Sequence, residues 1–285
     1  MVTVPPLPVP GAPVAPPTGG TTGGVVGGLL RLAQPTANTV PSESFQGLPT
    51  GILPTFGFSG GFFNLSDGPD QVSLDRFQTG SAPIRGLSGN DFIIGTENPE
   101  DIAGNQGLDT VFGGGGNDIL RGGAGSDSLD GGDGNDNLFG NMDNDTLLGG
   151  LSNDLLRGGQ GDDVLFGGPG SDTLVGDFGQ DFLTGGPGAD LFVLRPGAAA
   201  ATELTRADVI VDFRADEGDR FGLAEGLSFN NLVFGFVELA IDNETQTVGS
   251  TTIREGANGA WVGIVRGLAP SFLQANPQLF QTAFI

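Results

Sequence analysis

The chain contains no cysteine, histidine, lysine or tyrosine, and all 11 of its basic residues are arginine. Each absence excludes a chemistry. Without cysteine there are no disulfides and no thiolate metal sites. Without histidine the usual ligand of zinc, copper and iron is missing, as is any histidine-based catalytic triad. Without lysine there is no phosphate-cradling P-loop and no Schiff-base nucleophile. An enzyme built from this chain would have to work with Asp, Glu, Ser, Thr or Arg alone. No stretch approaches the ~20 apolar residues of a membrane span. The opening segment, MVTVPPLPVPGAPVAPP, lacks the basic and apolar regions of a secretory signal, and the first basic residue is Arg31. Positive charge is scarce. With 34 acidic residues the formal net charge is -23, a balance that repels nucleic acid and anionic surfaces and attracts cations.

What the chain has in excess is glycine, at 53 residues, and proline, at 19, with an ordinary hydrophobic content of 37%. Its organisation reads in four parts. Residues 1–50 form a Pro/Gly-rich low-complexity segment expected to be extended. Residues 51–85 form a lead-in containing Phe56, Phe58, Phe62 and Phe63, in which NLSDGPDQVSL (64–74) reads as a degenerate copy of the repeat that begins at Gly86. Residues 86–193 divide without insertion into twelve nine-residue units. Residues 194–285 lose the period and read as a β-rich cap, with strands over 207–213, 232–241, 247–253 and 259–265 and a short helix broken at Pro277.

The twelve units are GLSGNDFII, GTENPEDIA, GNQGLDTVF, GGGGNDILR, GGAGSDSLD, GGDGNDNLF, GNMDNDTLL, GGLSNDLLR, GGQGDDVLF, GGPGSDTLV, GDFGQDFLT and GGPGADLFV. The first position is always glycine and the eighth always apolar. The sixth is Asp in eleven units and Glu100 in the second. A fixed period of this kind indicates stacked repeats. Positions one to six are expected to turn and positions seven to nine to form a short strand with the eighth facing inward. Two units then make one eighteen-residue coil with a strand on each side. The expected fold is all-β: a parallel β-roll, a two-sheet right-handed solenoid of six coils, about 28 Å long at ~4.8 Å per strand. Its core is one side chain thick, so burial alone gives little stability.

This arrangement stacks the sixth-position carboxylates. Asp91, Asp109, Asp127, Asp145, Asp163 and Asp181 fall on one edge; Glu100, Asp118, Asp136, Asp154, Asp172 and Asp190 fall on the other. Carboxylates one strand spacing apart repel, and a hard divalent cation between turns removes that repulsion. Calcium suits an all-oxygen cage of carboxylates and turn carbonyls better than magnesium, which demands octahedral geometry and keeps its water. The ion would complete the fold.

Across residues 86–193 the chain resembles the RTX, or hemolysin-type, calcium-binding repeat family. The resemblance implies that each ion is held by the sixth-position Asp with turn carbonyls of units two apart. Carried over here, that means the eleven aspartates above and the carbonyls of Gly113, Gly122, Gly131, Gly158, Gly167 and Gly185, with Glu100 a poorer match. Up to ten inter-turn sites are implied, fewer because the second unit lacks GGxGxD and Asp143 and Ser152 replace glycine at position four. The segment 207–227 resembles the D-x-I-x-D-F…D-x-I-x-L element that often follows such repeats, matched by Asp208, Asp212 and Asp219. The resemblance also implies type I secretion through an uncleaved C-terminal signal, and hence folding outside the cell where calcium is plentiful.

RTX repeats occur in toxins, proteases, lipases and surface-layer proteins, so the repeat does not name a role. This chain lacks the HExxH of the proteases, the GxSxG of the lipases and the lysine acylated in the cytolysins. The sequence therefore reads as a non-enzymatic, secreted calcium-binding protein with a structural role in a matrix, surface layer or filament. The alternatives are an accessory or adhesin whose residues 1–85 engage a carbohydrate or surface, and a carboxylate-only glycan-active enzyme. Nucleic acid is not expected as a partner. On one outer face, position nine gives Ile94, Phe112, Asp130, Leu148, Phe166 and Thr184, a broken apolar stripe without arginine. Either the Phe-rich segment 56–63 or a second copy of the chain is expected to cover it.

Overall fold

A computed structural model describes residues 3–4, 57–59, 62–74, 83–196, 204–224, 226–241, 247–256 and 259–283. Most of the low-complexity segment 1–50 therefore lies outside the described residues. The fold is an all-β parallel solenoid of about seven turns in two sheets. Among the described residues one sheet has 12 strands and the other 11. Successive units alternate between them, so each strand pairs in parallel with the strand 18 residues away, as Leu129 does with Val111 and Leu147. We call the sheet holding Leu129 the odd sheet and the one holding Leu138 the even sheet.

The inward column is Ile93, Ile102, Val111, Leu120, Leu129, Leu138, Leu147, Leu156, Leu165, Leu174, Leu183 and Phe192, every member fully buried. It is the period-two alternation of a strand with one face on a core. Most of the repeat strands are longer than three residues; Val164–Phe166 and Phe182–Thr184 are the exceptions. Ile119–Ala124 and Asn137–Met142 each cover positions seven to nine and run on to position three of the next unit. The ladder skips the first-position glycine and resumes at the second, where Gly132 pairs with Gly114 and Gly150. In every unit but the second, the second-position residue has positive φ, even where it is not glycine, as at Asn105 and Asn141. That kink lets the chain keep pairing while it begins to turn.

Position four is left-handed in most units, and two of the three units without glycine there carry the strain: Asp143 has φ 69° and Ser152 φ 83°. A non-glycine residue there costs of order 1 kcal/mol. Ser152→Gly is expected to raise stability by about that much, measured as the denaturant midpoint in calcium.

The ladders extend beyond the uninterrupted repeat at both ends. The degenerate copy supplies Gln71–Ser73 to the odd sheet, paired with Phe92–Thr96. Phe62–Asn64 joins the even sheet beside Ile84–Ser88. The expectation that the Phe-rich segment covers the odd apolar stripe is thereby corrected for its described part. Phe62–Asn64 is drawn to the end of the even stack by backbone pairing, with the Arg85 guanidinium 3.2 Å over the Phe62 ring.

Beyond Val193, Val209–Ile210 adds to the odd sheet and Arg220–Leu223 to the even sheet. Phe280–Thr282 closes the even sheet. Trp261–Arg266 pairs in parallel with Val209–Ile210, then in antiparallel with Thr247–Glu255, which pairs with Leu232–Ile241. The helix is Pro270–Ala275, followed by a 3-10 turn at Pro277–Leu279. Aromatic rings plug the open end of the core. Phe192 meets Phe213, Phe213 stacks on Phe221 at 4.3 Å, and Phe221 stacks on Phe280 at 4.9 Å.

Candidate metal centre

The two carboxylate columns form as the register requires, and each carboxylate has two distinct oxygens. One is part of the backbone ladder. Oδ1 of Asp109, Asp127, Asp145 and Asp163 accepts a hydrogen bond of 2.8 Å from the amide of the sixth-position Asp one turn earlier. The even column repeats this from Asp118 through Asp190 at 2.7–2.9 Å. These bonds lock successive turns and fix each side chain's direction.

The other oxygen has no partner. Oδ2 of Asp91, Asp109, Asp118, Asp127, Asp136, Asp145, Asp154, Asp163, Asp172, Asp181 and Asp190 is buried with no hydrogen bond. These are all eleven sixth-position aspartates. A buried acceptor without a partner costs roughly 1–3 kcal/mol, and more when charged. Eleven such atoms in two rows form a pattern that calls for a cation.

The first-position glycines explain where that cation would sit. A Cβ added at Gly113 would lie 2.3 Å from Asp118 Oδ2 and 2.6 Å from the Gly131 carbonyl. The same cradle recurs at Gly131 with Asp136 and Gly149, at Gly140 with Asp145 and Gly158, at Gly149 with Asp154 and Gly167, and at Gly167 with Asp172 and Gly185. At each point an orphan carboxylate oxygen and a carbonyl from the next turn converge where any other residue would place a methyl group. The glycine is required here for space. Of the expected carbonyls, Gly131, Gly158, Gly167 and Gly185 border such cradles; that of Gly113 approaches Gly95 beside Glu100, and at Gly104 the atoms closest to an added methyl belong to Asp109 and not to the Gly122 carbonyl. Gly104 and Gly149 are carbonyls the sequence reading missed. Among the described residues no three carboxylates converge on one point. A resident ion would therefore take one or two carboxylates and fill its shell with carbonyls, a donor set of hard oxygens suited to calcium.

Burial pushes these acids upward. Asp145 is raised to about 9, Asp154 to about 8, Asp91, Asp118, Asp127, Asp163 and Asp190 to about 7, and Asp172 to about 6. Asp109, Asp136 and Asp181 shift the same way for the same reason. Without a metal, the folded roll must hold protons that the unfolded chain releases.

The other positions singled out in the sequence behave differently. Glu100 is satisfied within its own turn: Oε2 accepts from the Thr96 amide and Oε1 from the Thr96 hydroxyl. Its longer side chain reaches the turn that the shorter Asp cannot, so it leaves no orphan oxygen. Asp208 and Asp219 extend the two columns, accepting from the amides of Asp181 and Asp190 at 3.3 and 3.0 Å. Burial raises Asp208 to about 7. Asp212 caps the last turn instead, accepting from the amides of Gly185 and Gly186. At the other end, Asp70 donates its amide to Asp91 Oδ1 and begins the odd column. The sequence signal for Asp70 was its place in the degenerate copy.

A third ladder went unread. At position five, the side-chain oxygens of Asn90, Asn117, Asn135, Asn144, Asn153 and Asp162 each accept from the position-five amide one turn later, at 2.7–3.0 Å. The recurrence of Asn, Asp and Ser before the sixth-position Asp was its signal.

The family model of the RTX calcium-binding nonapeptide repeat (four copies) matches residues 80–111, 94–129, 103–138, 122–156, 139–174 and 166–198. No curated protein matches the chain. Residues 80–198 thus carry RTX calcium-binding nonapeptide repeats, wound here as the two-sheet solenoid.

Proposed function

We propose that this protein is a secreted, non-enzymatic calcium-binding roll that condenses on calcium outside the cell and serves as a structural component of a matrix, surface layer or filament. The observation that carries the reading is the set of eleven orphan, buried Oδ2 atoms, most facing a turn carbonyl over a glycine cradle. The ions are held by the eleven aspartates with carbonyls of Gly104, Gly113, Gly131, Gly149, Gly158, Gly167 and Gly185, with Asp208 and Asp219 closing the columns. A column of carboxylates that repels itself without ions and locks with them makes a rigid rod in calcium-rich surroundings and a loose chain where calcium is scarce. That behaviour fits export of an unfolded chain by type I secretion. No helix among the described residues is long and apolar enough to cross a membrane.

Equilibrium dialysis against millimolar calcium, with the excess over the surrounding buffer read by elemental analysis, tests the site. Several calcium ions per chain are expected, and Asp145→Asn should lower the count by one or two while the β signal persists in excess calcium. A chain that carries no calcium after this treatment would sink the reading.

The pH dependence has a definite sign. The folded pKa values lie above the unfolded value of about 3.8, so the metal-free fold binds more protons between about pH 4 and 9. In chelator its stability is present at low pH and lost as pH rises through that window. Any thermal midpoint in chelator should therefore be higher at pH 5 than at pH 8. In millimolar calcium the order reverses, because protons compete for the same oxygens. Identical pH profiles with and without calcium would contradict this.

A further inference from the structure

The odd outer stripe holds a carboxylate that nothing among the described residues answers. Asp130 lies between Phe112 and Leu148 in the register of the odd sheet, and Ile94 and Phe166 continue the row. It is half-buried, and its carboxylate has no hydrogen-bond or salt-bridge partner among the described residues. An acid in an apolar row that stays unpaired is destabilising once that row is covered. Whatever covers it must bring a cation flanked by apolar surface.

The opposite face of the same roll has that pattern. In the register of the even sheet the outward column runs Arg85, Ala103, Arg121, Phe139, Arg157 and Val175. Arginine thus recurs every 36 residues, every second turn, about 10 Å apart along the stack. Arg121 pairs with Asp101 and Arg157 with Asp177, yet the two arginine side chains remain 41% and 39% exposed with guanidinium donors to spare. Met142 and Phe178 stand exposed on the same face, at 51% and 45%.

We propose that the odd face of one copy docks on the even face of the next, with Asp130 opposite Arg121. Both columns advance one strand per eighteen residues, so two stacks laid side by side stay in step along their length. With Asp130 at Arg121, Phe112 and Leu148 fall on Ala103 and Phe139, apolar on apolar, and Phe166 falls on Arg157, a ring under a guanidinium. A register centred on Arg157 is poorer because Val175 is already fully buried within its own chain. Unlike faces meet, so the contact is heterologous and builds an open row of rolls rather than a closed dimer. The docking rests on the calcium-binding reading above. Each bound ion cancels two of the 23 excess negative charges, so ten would leave about three and remove most of the repulsion between copies.

Sedimentation of the full chain in millimolar calcium tests this, with circular dichroism of the same samples reporting the fold separately. Wild type should grow in mass with concentration. Asp130→Arg and Arg121→Glu should each lower the association constant at least tenfold while the β signal holds, and the two together in one chain should restore it. Because the chain has no cysteine, a second experiment reads the contact directly. Asp130→Cys mixed with Arg121→Cys should form intermolecular disulfides under mild oxidation, and neither alone should. A folded wild type that stays monomeric at tens of micromolar, assembly unaffected by Asp130→Arg, or cross-linking of Asp130→Cys with itself would each overturn the proposal. Loss of the β signal only on chelation concerns the calcium reading; loss of mass with the β signal intact concerns the docking.

Discussion

Removing calcium should abolish most of the parallel β structure between residues 62 and 223. The inward column is one residue wide, so apolar burial is thin for a chain this long. Against it stand eleven buried carboxylate oxygens with no hydrogen-bond partner. At neutral pH each must be protonated against its intrinsic preference, or stay ionised in a low-dielectric row beside its neighbours. Calcium reverses this balance. A site with free calcium a hundredfold above its Kd adds about 2.7 kcal/mol. Four such sites add about 11 kcal/mol, as much as the whole ~5–15 kcal/mol of an ordinary domain. A titration followed by far-UV circular dichroism should show a cooperative gain of β signal in the sub-millimolar to millimolar range, reversed by chelator and not reproduced by magnesium. A spectrum unchanged by chelator, in protein shown by elemental analysis to be metal-free, would mean the roll stands on packing and protons alone.

The second large effect is expected at a residue with no functional group. Gly131→Ala places a methyl 2.4 Å from Asp136 Oδ2 and 2.5 Å from the Gly149 carbonyl. The carbonyl is backbone in a paired turn and cannot move without breaking the ladder. Overpacking of this kind costs about 1–3 kcal/mol, and the methyl also fills the space between two candidate ligands, so ion binding there should be lost as well. A fall of at least about 3 kcal/mol in calcium is expected, with one or two fewer ions bound. Gly68→Ala is the matched control. Nothing lies within 4 Å of the methyl it would add, and its effect should stay within about 0.5 kcal/mol. Equal effects at the two positions, measured by denaturant unfolding in calcium, would show that the cradle is not what requires glycine.

Much of the site was legible because the period is rigid. A nine-residue unit repeated without insertion fixes which residues share a column, whatever the strand geometry. The inward apolar row, the two carboxylate columns and the glycine turns result from that alone. What the period cannot give is the use of each atom. The Asp symbol at position six is the same whether its oxygens are both spent or one is free, and Glu100 shows the difference: one more methylene lets it satisfy itself on Thr96. Nor does the period mark its own ends. Asp70, Asp208 and Asp219 belong to the columns through backbone pairing across insertions that break the sequence register.

By itself, then, the sequence determined the all-β solenoid, the alternation between two sheets, the membership of the core and the residues that hold the charge. These depend only on chain-local periodicity and on the incompatibility of stacked acids with an ion-free fold. Tertiary structure decided the rest. It carried the strands through the first-position glycines, divided each carboxylate into a ladder oxygen and an orphan, and set the cradles between turns. It also closed the core with Phe192, Phe213, Phe221 and Phe280. Each of these depends on which atoms of distant turns meet, and that is settled only when the chain has wound back over itself.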